Sequence, residues 1–285
     1  MKGEDRLTLG QIWKRGTAFL EEKGVPDAGL DAWYLMEEVW QIDRAYYYTH
    51  RDDVLEEDGK RQERFADYLK RRGMREPLQH ILGRAWFMEL EFVVNPHVLI
   101  PRQDTEVLVE EARGLLGPGQ RVLDMCTGSG CILLSLLYHC KGAEGIGVDI
   151  SRKALETARE NSRRLGIEAE FIESDLFAQV EGKYHMIVSN PPYIPGGEID
   201  LLMEEVGRYD PRLALDGGVD GLGFYRRLLA DSPGHLQPGG ILLMEIGSGQ
   251  GDWVQSHMKA GGYRQVRLLK DLSGLDRAVL GYSPE

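Results

Sequence analysis

An alternation of short apolar runs with helix-length segments after Pro101 constrains the fold of this chain more than any other feature. The runs predict β-strands at residues 121–125, 145–150, 169–174, 185–189 and 241–246. Because strands separated by helical segments pair in parallel, the pattern indicates an α/β domain built on a doubly wound parallel sheet. Two further β-like runs, at 265–269 and 277–282, lie close together and predict a terminal antiparallel pair.

The start of the chain carries helical patterns instead. Thr8 and Gln11 form a capping-box sequence, and apolar residues at helical spacing follow as far as Leu20. Further helices are expected around 30–40 and around 57–72. The aromatic residues in these stretches are expected to pack into a core, since stripes at helical spacing usually do.

Residues 77–100 differ from both flanking regions. They contain β-rich patches around Ile81, 86–90 and 92–94, separated by short breaks, and predict a hairpin linker. We therefore divide the chain into a helical domain at 1–76, the linker at 77–100 and a sheet domain at 101–285.

Length and composition agree with this division. A chain of 285 residues with 42% hydrophobic residues is long enough for two domains and a large buried core. No apolar run is long enough to cross a membrane, and residues 1–16 are too polar for a signal peptide, so we expect a cytoplasmic protein. The net charge of −12 argues against a general nucleic-acid surface, which needs clustered Lys and Arg. It leaves room for a local basic patch or a basic protein partner.

Three cysteines occur, Cys126, Cys131 and Cys140. Their spacing lacks the paired pattern of a zinc site, so we expect no metal. Free cysteines of this kind are usually buried as small hydrophobic residues.

A strand that runs into a glycine turn and then a helix marks the predicted cofactor site. Gly128 and Gly130 in this turn would let the backbone approach a ligand without a clash from Cβ. The carboxyl end of a strand is also where open α/β sheets bind ligands. Asp149 ends the next strand, where an acidic residue accepts hydrogen bonds from ribose hydroxyls. Capping of the following helix is the alternative role of Asp149.

A nicotinamide-binding Rossmann site would contain the same acidic residue, so only the glycine pattern can distinguish such a site from other cofactor sites. Leu133 occupies the position of the third fingerprint glycine. Asp124 stands four residues before the first glycine, and this D-x-x-x-G-x-G arrangement resembles motif I of the class I methyltransferases. Asp175 ends the third strand, and in that interpretation its loop flanks an adenine with Leu176 and Phe177. A simple turn cap is the alternative role of Asp175.

The tetrapeptide Asn190-Pro191-Pro192-Tyr193 is the strongest functional signal, because it directly follows a predicted strand. A planar amide or amine nitrogen gains positive charge as it attacks a methyl group, so acceptors aimed at its hydrogens stabilise the transition state. The side-chain oxygen of Asn190 and the carbonyl of Pro191 are the predicted acceptors. The Tyr193 ring is predicted to hold the planar group in line with the methyl. A purely structural proline turn is the alternative.

These motifs together resemble the HemK-like release factor glutamine methyltransferases, over nearly the whole chain. Flanking matches are Pro77, Gln79, Ile81 and Gly83, then Ile100-Pro101-Arg102 with Thr105-Glu106, and Pro211-Arg212 with Ala214-Leu215. The resemblance implies a Rossmann-like seven-stranded class I methyltransferase sheet, joined by a β-hairpin linker to a helical domain that docks the substrate. It implies S-adenosyl-L-methionine as cofactor, S-adenosyl-L-homocysteine as product, and the glutamine of a Gly-Gly-Gln motif in peptide chain release factors as substrate, in support of translation termination.

The resemblance also implies individual site residues. Cofactor contacts fall on Cys126, Thr127, Gly128, Ser129, Gly130, Asp149, Leu176 and Asn190, and the substrate glutamine falls on Asn190, Pro191, Pro192 and Tyr193. The chain departs from the family pattern at Cys126 (often glycine), Leu176 (often aromatic), Gln103 (often proline) and Asp210 (usually glutamate). These departures affect the expected adenine packing and leave the acceptors at Asn190 unchanged.

Two other functions are kept for comparison. A DNA or RNA base amino-methyltransferase would share the chemistry, but it must extract a base and bind phosphates. A chain at −12 without an evident Lys/Arg-rich recognition segment suits that poorly, so no direct nucleic-acid partner is expected. The second is a catalytically silent module that docks a partner through the helical domain. Turnover of a cofactor would distinguish an enzyme from such a module.

Overall fold

The computed structural model describes residues 7–54 and 58–284. They form two compact units. The smaller comprises the described residues up to Gly83 together with Glu204–Tyr209, and the larger comprises Arg84–Met203 and the described residues from Asp210 onward. None of the described helices is long and apolar enough to cross a membrane. The polar first six residues, and residue 57 at the predicted start of a helix, lie outside this description.

The smaller unit is helical, as predicted. Its helices are α1 (Leu9–Glu22), α2 (Ala28–Trp40), α3 (Arg44–His50), α4 (Gly59–Gly73) and α5 (Leu78–Leu82), with a single helical turn at Glu204–Gly207. The capping box is confirmed, because Thr8 Oγ1 accepts from the Gln11 main-chain N–H and the Gln11 side chain accepts from the Thr8 N–H. The apolar face of α1 is buried against α2 and α4.

An ion-pair network ties the returning segment Glu204–Tyr209 to these helices. Arg72 on α4 is buried and donates to Asp31 at 2.6 Å and to Glu205 at 3.1 Å. Arg75 donates to Glu205 as well, at 2.7 Å. Burial acts to raise the pKa of Glu205, but the hydrogen bonds from Arg75 and Arg72 outweigh it, and the pKa is lowered. The segment is therefore held to the helical unit by charge as well as by packing.

The larger unit contains the predicted sheet. Its elements are β1 (Arg84–Phe87), β2 (Leu90–Val93), α6 (Glu106–Arg113), β3 (Arg121–Met125), α7 (Cys131–His139), β4 (Glu144–Asp149), α8 (Arg152–Leu165), β5 (Glu170–Glu173), β6 (Tyr184–Ser189), α9 (Gly223–His235), β7 (Leu236–Glu245), α10 (Gly251–Ala260), β8 (Arg264–Lys270) and β9 (Asp276–Tyr282). The seven strands of the sheet follow the order β5-β4-β3-β6-β7-β9-β8. The first five are parallel, and β9 and β8 are antiparallel to their neighbours. The predicted α/β fold class is confirmed, including the terminal pair.

One strand boundary was predicted wrongly. β7 begins at Leu236 rather than at residue 241, because Leu236 pairs with Tyr184 before a register shift in the neighbouring strand. The intervening residues are Gln237, Pro238 and two glycines, of which Pro238 and Gly239 are exposed, so no apolar run marks them.

The sheet is covered on both faces, which explains its continuous apolar strands. Val122 and Val188 belong to the core on one side, with residues of α6, α7 and α8. Leu123 and Ile187 belong to the core on the other side, with residues of α9 and α10.

The predicted linker at 77–100 is divided between the units. Its helix α5 belongs to the smaller unit, and the β1–β2 hairpin belongs to the larger one. The β-rich patch predicted around Ile81 is wrong, since Ile81 lies in α5; a short apolar run does not distinguish a strand from a buried helical segment. The hairpin turns at Met88 and Glu89, which both have positive φ, at 48° and 66°. Such a turn usually contains Asn or Gly. Because this turn contains neither, the sequence does not reveal its position.

Candidate active site

A cavity of about 290 Å³ lies at the carboxyl ends of β3, β4 and β6, within the larger unit. Its volume is close to the lower limit of roughly 300 Å³ for small-molecule sites. Residues predicted from four separate stretches of the sequence line it together: most of the glycine turn, Asp149, Leu176 and Asn190. Parallel strands bring these stretches to one edge, because their carboxyl ends all point the same way.

Asp124 stabilises the glycine turn through hydrogen bonds of its side chain. Its side chain is fully buried, and its Oδ2 accepts from the Thr127 hydroxyl at 2.6 Å and from the Leu133 main-chain N–H at 3.2 Å. Burial raises the pKa of Asp124 to about 7, against the effect of these two hydrogen bonds. The signature aspartate therefore shapes the turn and is not part of the cavity wall.

The two glycines of the turn have different tasks. Gly128 has φ +56°, and a Cβ there would meet no protein atom within 4 Å, so the space beside it is open to a ligand. Gly130 has φ +80° and does not line the cavity. A Cβ on Gly130 would lie 3.3 Å from Ala158 Cβ, so this glycine lets α7 pack closely against α8.

Asp149 is held at the end of β4 by two main-chain donors. Gly128 N–H donates to Oδ2 at 2.9 Å, and Ser151 N–H donates to Oδ1 at 2.8 Å. The side-chain cap of α8 is Ser151, whose hydroxyl accepts from the Ala154 N–H. Burial raises the pKa of Asp149 in spite of its hydrogen bonds. The half-buried carboxylate lines the cavity and retains lone pairs that can accept further hydrogen bonds.

The predicted adenine side differs from expectation in its aromatic residues. Leu176 is buried, lines the cavity and adopts φ +50°. Phe177 stacks on His235 with ring centroids 4.7 Å apart and does not line the cavity. Phe224, at the start of α9, supplies an aromatic ring to the wall instead. No sequence pattern pointed to Phe224, because it lies far along the chain from the cofactor motifs.

Two ion pairs contribute to the wall of the cavity. Arg227 pairs with Asp175 at 2.8 Å, and both side chains are about half exposed. Arg102 pairs with Asp210 at 2.6 Å. The Asp210 side chain is fully buried, and burial raises its pKa to about 6, although Arg102 acts to lower it.

The prediction that the cysteines are buried is correct for one residue and wrong for two. Cys140 is buried, whereas Cys126 and Cys131 are half-buried and line the cavity. Cys126 adopts φ +64°, which explains why glycine is common at this position. Burial raises the thiol pKa of all three cysteines, which disfavours the reactive thiolate. Within the described residues, no group of His, Cys, Asp and Glu is arranged to hold a metal ion.

The predicted catalytic tetrapeptide follows β6 at the same edge of the sheet. Asn190 and Pro192 line the cavity, whereas Pro191 is buried and, like Tyr193, is not among the lining residues. Asn190 Nδ2 donates to the hydroxyl of Thr105 at 3.3 Å. No hydrogen bond within the described residues uses the Asn190 side-chain oxygen, so this acceptor is available to a substrate.

Tyr193 is fixed at both its side chain and its main chain. Its hydroxyl donates to Glu245 Oε1 at 3.2 Å, and its carbonyl accepts from Gln250 Nε2 at 2.9 Å. Gly217 and Gly221 pack against its main chain, since a Cβ on either would lie under 3 Å from a Tyr193 backbone atom. Sequence reasoning missed Glu245 and Gln250, because single polar residues after an apolar strand carry no pattern of their own.

Comparison with solved structures agrees with the fold. A methyltransferase from Pyrococcus furiosus, 18% identical, superposes with a TM-score of 0.53 over 69% of this chain and 90% of its own. The sheet order and the site at its carboxyl edge define the fold of a class I methyltransferase.

Comparison of sequences identifies the family. Residues 11–83 match the PrmC N-terminal domain, and residues 103–206 match the methyltransferase small domain. The release factor glutamine methyltransferase of Geobacter sulfurreducens is 41% identical over 94% of this chain and 94% of its own length. That of Rhodospirillum rubrum is 41% identical over 97% of this chain and 86% of its own. This chain belongs to the release factor glutamine methyltransferase family.

Proposed function

We propose that this protein methylates the side-chain amide nitrogen of the glutamine in the Gly-Gly-Gln motif of peptide chain release factors, with S-adenosyl-L-methionine as methyl donor. The observation that carries the proposal is the placement of Asn190, whose side chain lies in the same cavity as the glycine turn and Asp149. Its amide nitrogen is bonded to Thr105, which leaves its oxygen for the hydrogens of a substrate amide.

The residues of the cavity suit this methyl donor. Asp149 would accept hydrogen bonds from the ribose hydroxyls, and Gly128 would allow close approach of the ligand to the backbone. Leu176 and Phe224 would offer apolar contact to the adenine. When bound, S-adenosyl-L-methionine supplies an electrophilic methyl group on a positively charged sulfur and leaves as S-adenosyl-L-homocysteine.

The tetrapeptide would then position and stabilise the reacting nitrogen. The glutamine nitrogen is a poor nucleophile because its lone pair is delocalised into the carbonyl, so its orientation decides the rate. The Asn190 side-chain oxygen and the Pro191 carbonyl would accept hydrogen bonds from its NH₂ group as positive charge develops there. Tyr193, tied to Glu245, would hold the planar amide in line with the methyl. The N-methylated amide cation is strongly acidic and would release its proton to water after the new bond forms, so a strong general base is unnecessary.

Membership of this family indicates the class of substrate. Both relatives described above are release factor glutamine methyltransferases. Two glycines beside the target glutamine fit a narrow cavity, because a backbone without side chains can enter where bulkier residues would clash. Translation termination takes place in the cytoplasm, so the proposal implies a cytoplasmic enzyme.

Labelled S-adenosyl-L-methionine tests the proposal. The protein should transfer one methyl group to a purified release factor, and peptide mass mapping should place it on the glutamine of the Gly-Gly-Gln motif. A release factor with glutamate in place of that glutamine lacks the NH₂ nucleophile and should remain unlabelled. Equal labelling of the glutamate variant, or labelling of DNA or RNA instead, would contradict the substrate assignment.

The Asn190→Ala variant tests the acceptor role in the same assay. Removing one preorganised hydrogen-bonding group from a reacting centre costs a factor on the order of 10²–10³ in turnover. The variant should lose turnover by about that factor, and its affinity for S-adenosyl-L-methionine should fall much less. Turnover within about threefold of the unaltered protein would rule out the acceptor role.

A further inference from the structure

The orientation of the Asn190 amide depends on two residues outside the tetrapeptide. Thr105 lies just before α6, and its side chain is buried and lines the cavity. Glu245 is the last residue of β7 and is 2% exposed. β7 runs beside β6 with Met244 level with Ser189, so the residues that follow them, Glu245 and Asn190, lie at the same edge of the sheet.

The hydrogen bonds among these residues have a fixed direction. Glu245 accepts from the Tyr193 hydroxyl through Oε1 at 3.2 Å, and its buried Oε2 has no hydrogen-bond partner among the described residues. The nearby Thr105 hydroxyl acts to lower the pKa of Glu245. A carboxylate only accepts, so a hydrogen bond between these two groups requires the Thr105 hydroxyl to donate its single proton. The Thr105 oxygen is then left with lone pairs, which accept from Asn190 Nδ2 at 3.3 Å.

We propose that Thr105 and Glu245 are positioning residues that orient the Asn190 amide, with its nitrogen towards Thr105 and its oxygen towards the substrate. An amide carries its oxygen and nitrogen on opposite arms, so a bonded nitrogen fixes the direction of the oxygen. Reversal of the amide would aim an NH₂ group at the substrate NH₂ group and abolish the acceptor. This role rests on the proposed methylation of an amide nitrogen.

The protonation state of Glu245 decides whether the direction holds. Burial raises the pKa of Glu245 to about 7, although Thr105, Tyr193 and the charge of Arg277 act to lower it. The other charged group near it is Asp104, which pairs with Arg277 at 3.1 Å. Below that pKa, a protonated Glu245 can donate to the Thr105 oxygen, and the Thr105 proton is then free to attract the amide oxygen of Asn190.

Thr105→Val and Thr105→Ser form the matched pair of variants. Valine has the shape of threonine without its hydroxyl, and serine keeps the hydroxyl. We expect Thr105→Val to lower kcat by about three- to tenfold, the worth of one neutral hydrogen bond, with affinity for S-adenosyl-L-methionine within about twofold. Thr105→Ser should stay within about twofold of the unaltered protein. Equal losses in both variants would assign the effect to packing and overturn the proposal.

The pH profile separates orientation from a general structural effect. In the unaltered protein kcat should fall as pH drops through about 7, because Glu245 gains a proton. Glu245→Gln cannot gain that proton, so its kcat should be lower but flat across the same range. A fall of the same size in the glutamine variant would contradict the role of Glu245.

A third measurement requires no substrate. The chain contains only three asparagines, Asn95, Asn161 and Asn190, so labelling asparagine with ¹⁵N yields three side-chain NH₂ signals. The Asn190→Asp variant identifies the Asn190 signal by its loss. That signal should shift towards an unbonded amide in Thr105→Val and stay in place in Thr105→Ser. An unmoved signal in Thr105→Val refutes the orientation, whereas failure of the unaltered protein to label release factors refutes the proposed function alone.

Discussion

Replacing Asp149 with asparagine tests the proposed cofactor site most directly, because this carboxylate has two measurable tasks. It accepts from Gly128 N–H at 2.9 Å and from Ser151 N–H at 2.8 Å, and it faces the cavity. Asparagine offers one oxygen and one NH₂ group, so it can accept from only one of these two N–H groups. The other N–H group would then face the NH₂ group, which is itself a donor. Each hydrogen bond to a charged group is worth about 1.5–3 kcal/mol. We therefore expect the free energy of unfolding to fall by about 2–3 kcal/mol, measured by urea denaturation.

The same substitution should weaken binding of S-adenosyl-L-methionine. Loss of the charge-assisted bonds to the ribose removes about 1.5–3 kcal/mol, which corresponds to roughly ten- to a hundredfold in Kd, since 1.4 kcal/mol is one decade. Calorimetry on the folded variant measures this directly. Glu144→Gln is the control, because Glu144 is exposed at the opposite end of the same strand, and its affinity should be unchanged. A folded Asp149→Asn variant with the affinity of the unaltered protein would refute the assignment of this site.

Three other predictions concern stability. The pKa of both Asp124 and Glu245 is raised to about 7 in the folded protein. Their contribution to the free energy of unfolding is therefore fully present below the unfolded-state pKa near 4 and is lost as pH rises through about 7. Urea titrations at pH 5 and pH 8 should show a smaller fall for Glu245→Gln than for the unaltered protein; equal falls would contradict the shift. Arg72→Met should destabilise the helical unit by about 3–5 kcal/mol in thermal or urea unfolding, because it leaves the buried Asp31 carboxylate without its cation, whereas Glu205 keeps Arg75; a loss under about 1 kcal/mol would show that the pair adds little. Glu89→Gly should stabilise the hairpin turn by roughly 0.5–1 kcal/mol, seen as a higher urea midpoint, because φ is positive there; a lower midpoint would contradict this.

The fold could be predicted because its signals are local. Each central strand is buried on both faces and therefore appears as a short apolar run, and the α1 cap depends on residues three positions apart. The start of β7 could not be predicted, because its polar, glycine-containing residues join the sheet only through a neighbour's register shift. The attachment of Glu204–Tyr209 to the helical unit rests on Arg72 and Arg75, more than a hundred residues earlier, and no local pattern reveals it.

Predicted and missed site residues differ in the same way. The glycine turn, Asp149 and Asn190 each follow a strand, and strand ends in a parallel sheet converge without further information. Thr105 contacts Asn190 across 85 residues, and Glu245 contacts Tyr193 across 52. Contacts of this kind depend on the completed tertiary structure. The site assignments themselves stay predictions until the variants described above are measured.

Three carboxylates at this edge of the sheet share one property that bears on the reaction. Asp124 supports the glycine turn from the last-but-one position of β3, Asp149 supports the turn and the start of α8, and Glu245 supports Tyr193. Each of the three accepts hydrogen bonds through at least one oxygen from groups around the cavity, and these bonds hold the surrounding loops before any ligand arrives. A carboxylate used in this way is poorly placed to remove a proton from a substrate. The site therefore suits a reaction limited by the orientation of a weak nucleophile, in which rigid acceptors matter more than a base, and methyl transfer to an amide nitrogen is such a reaction.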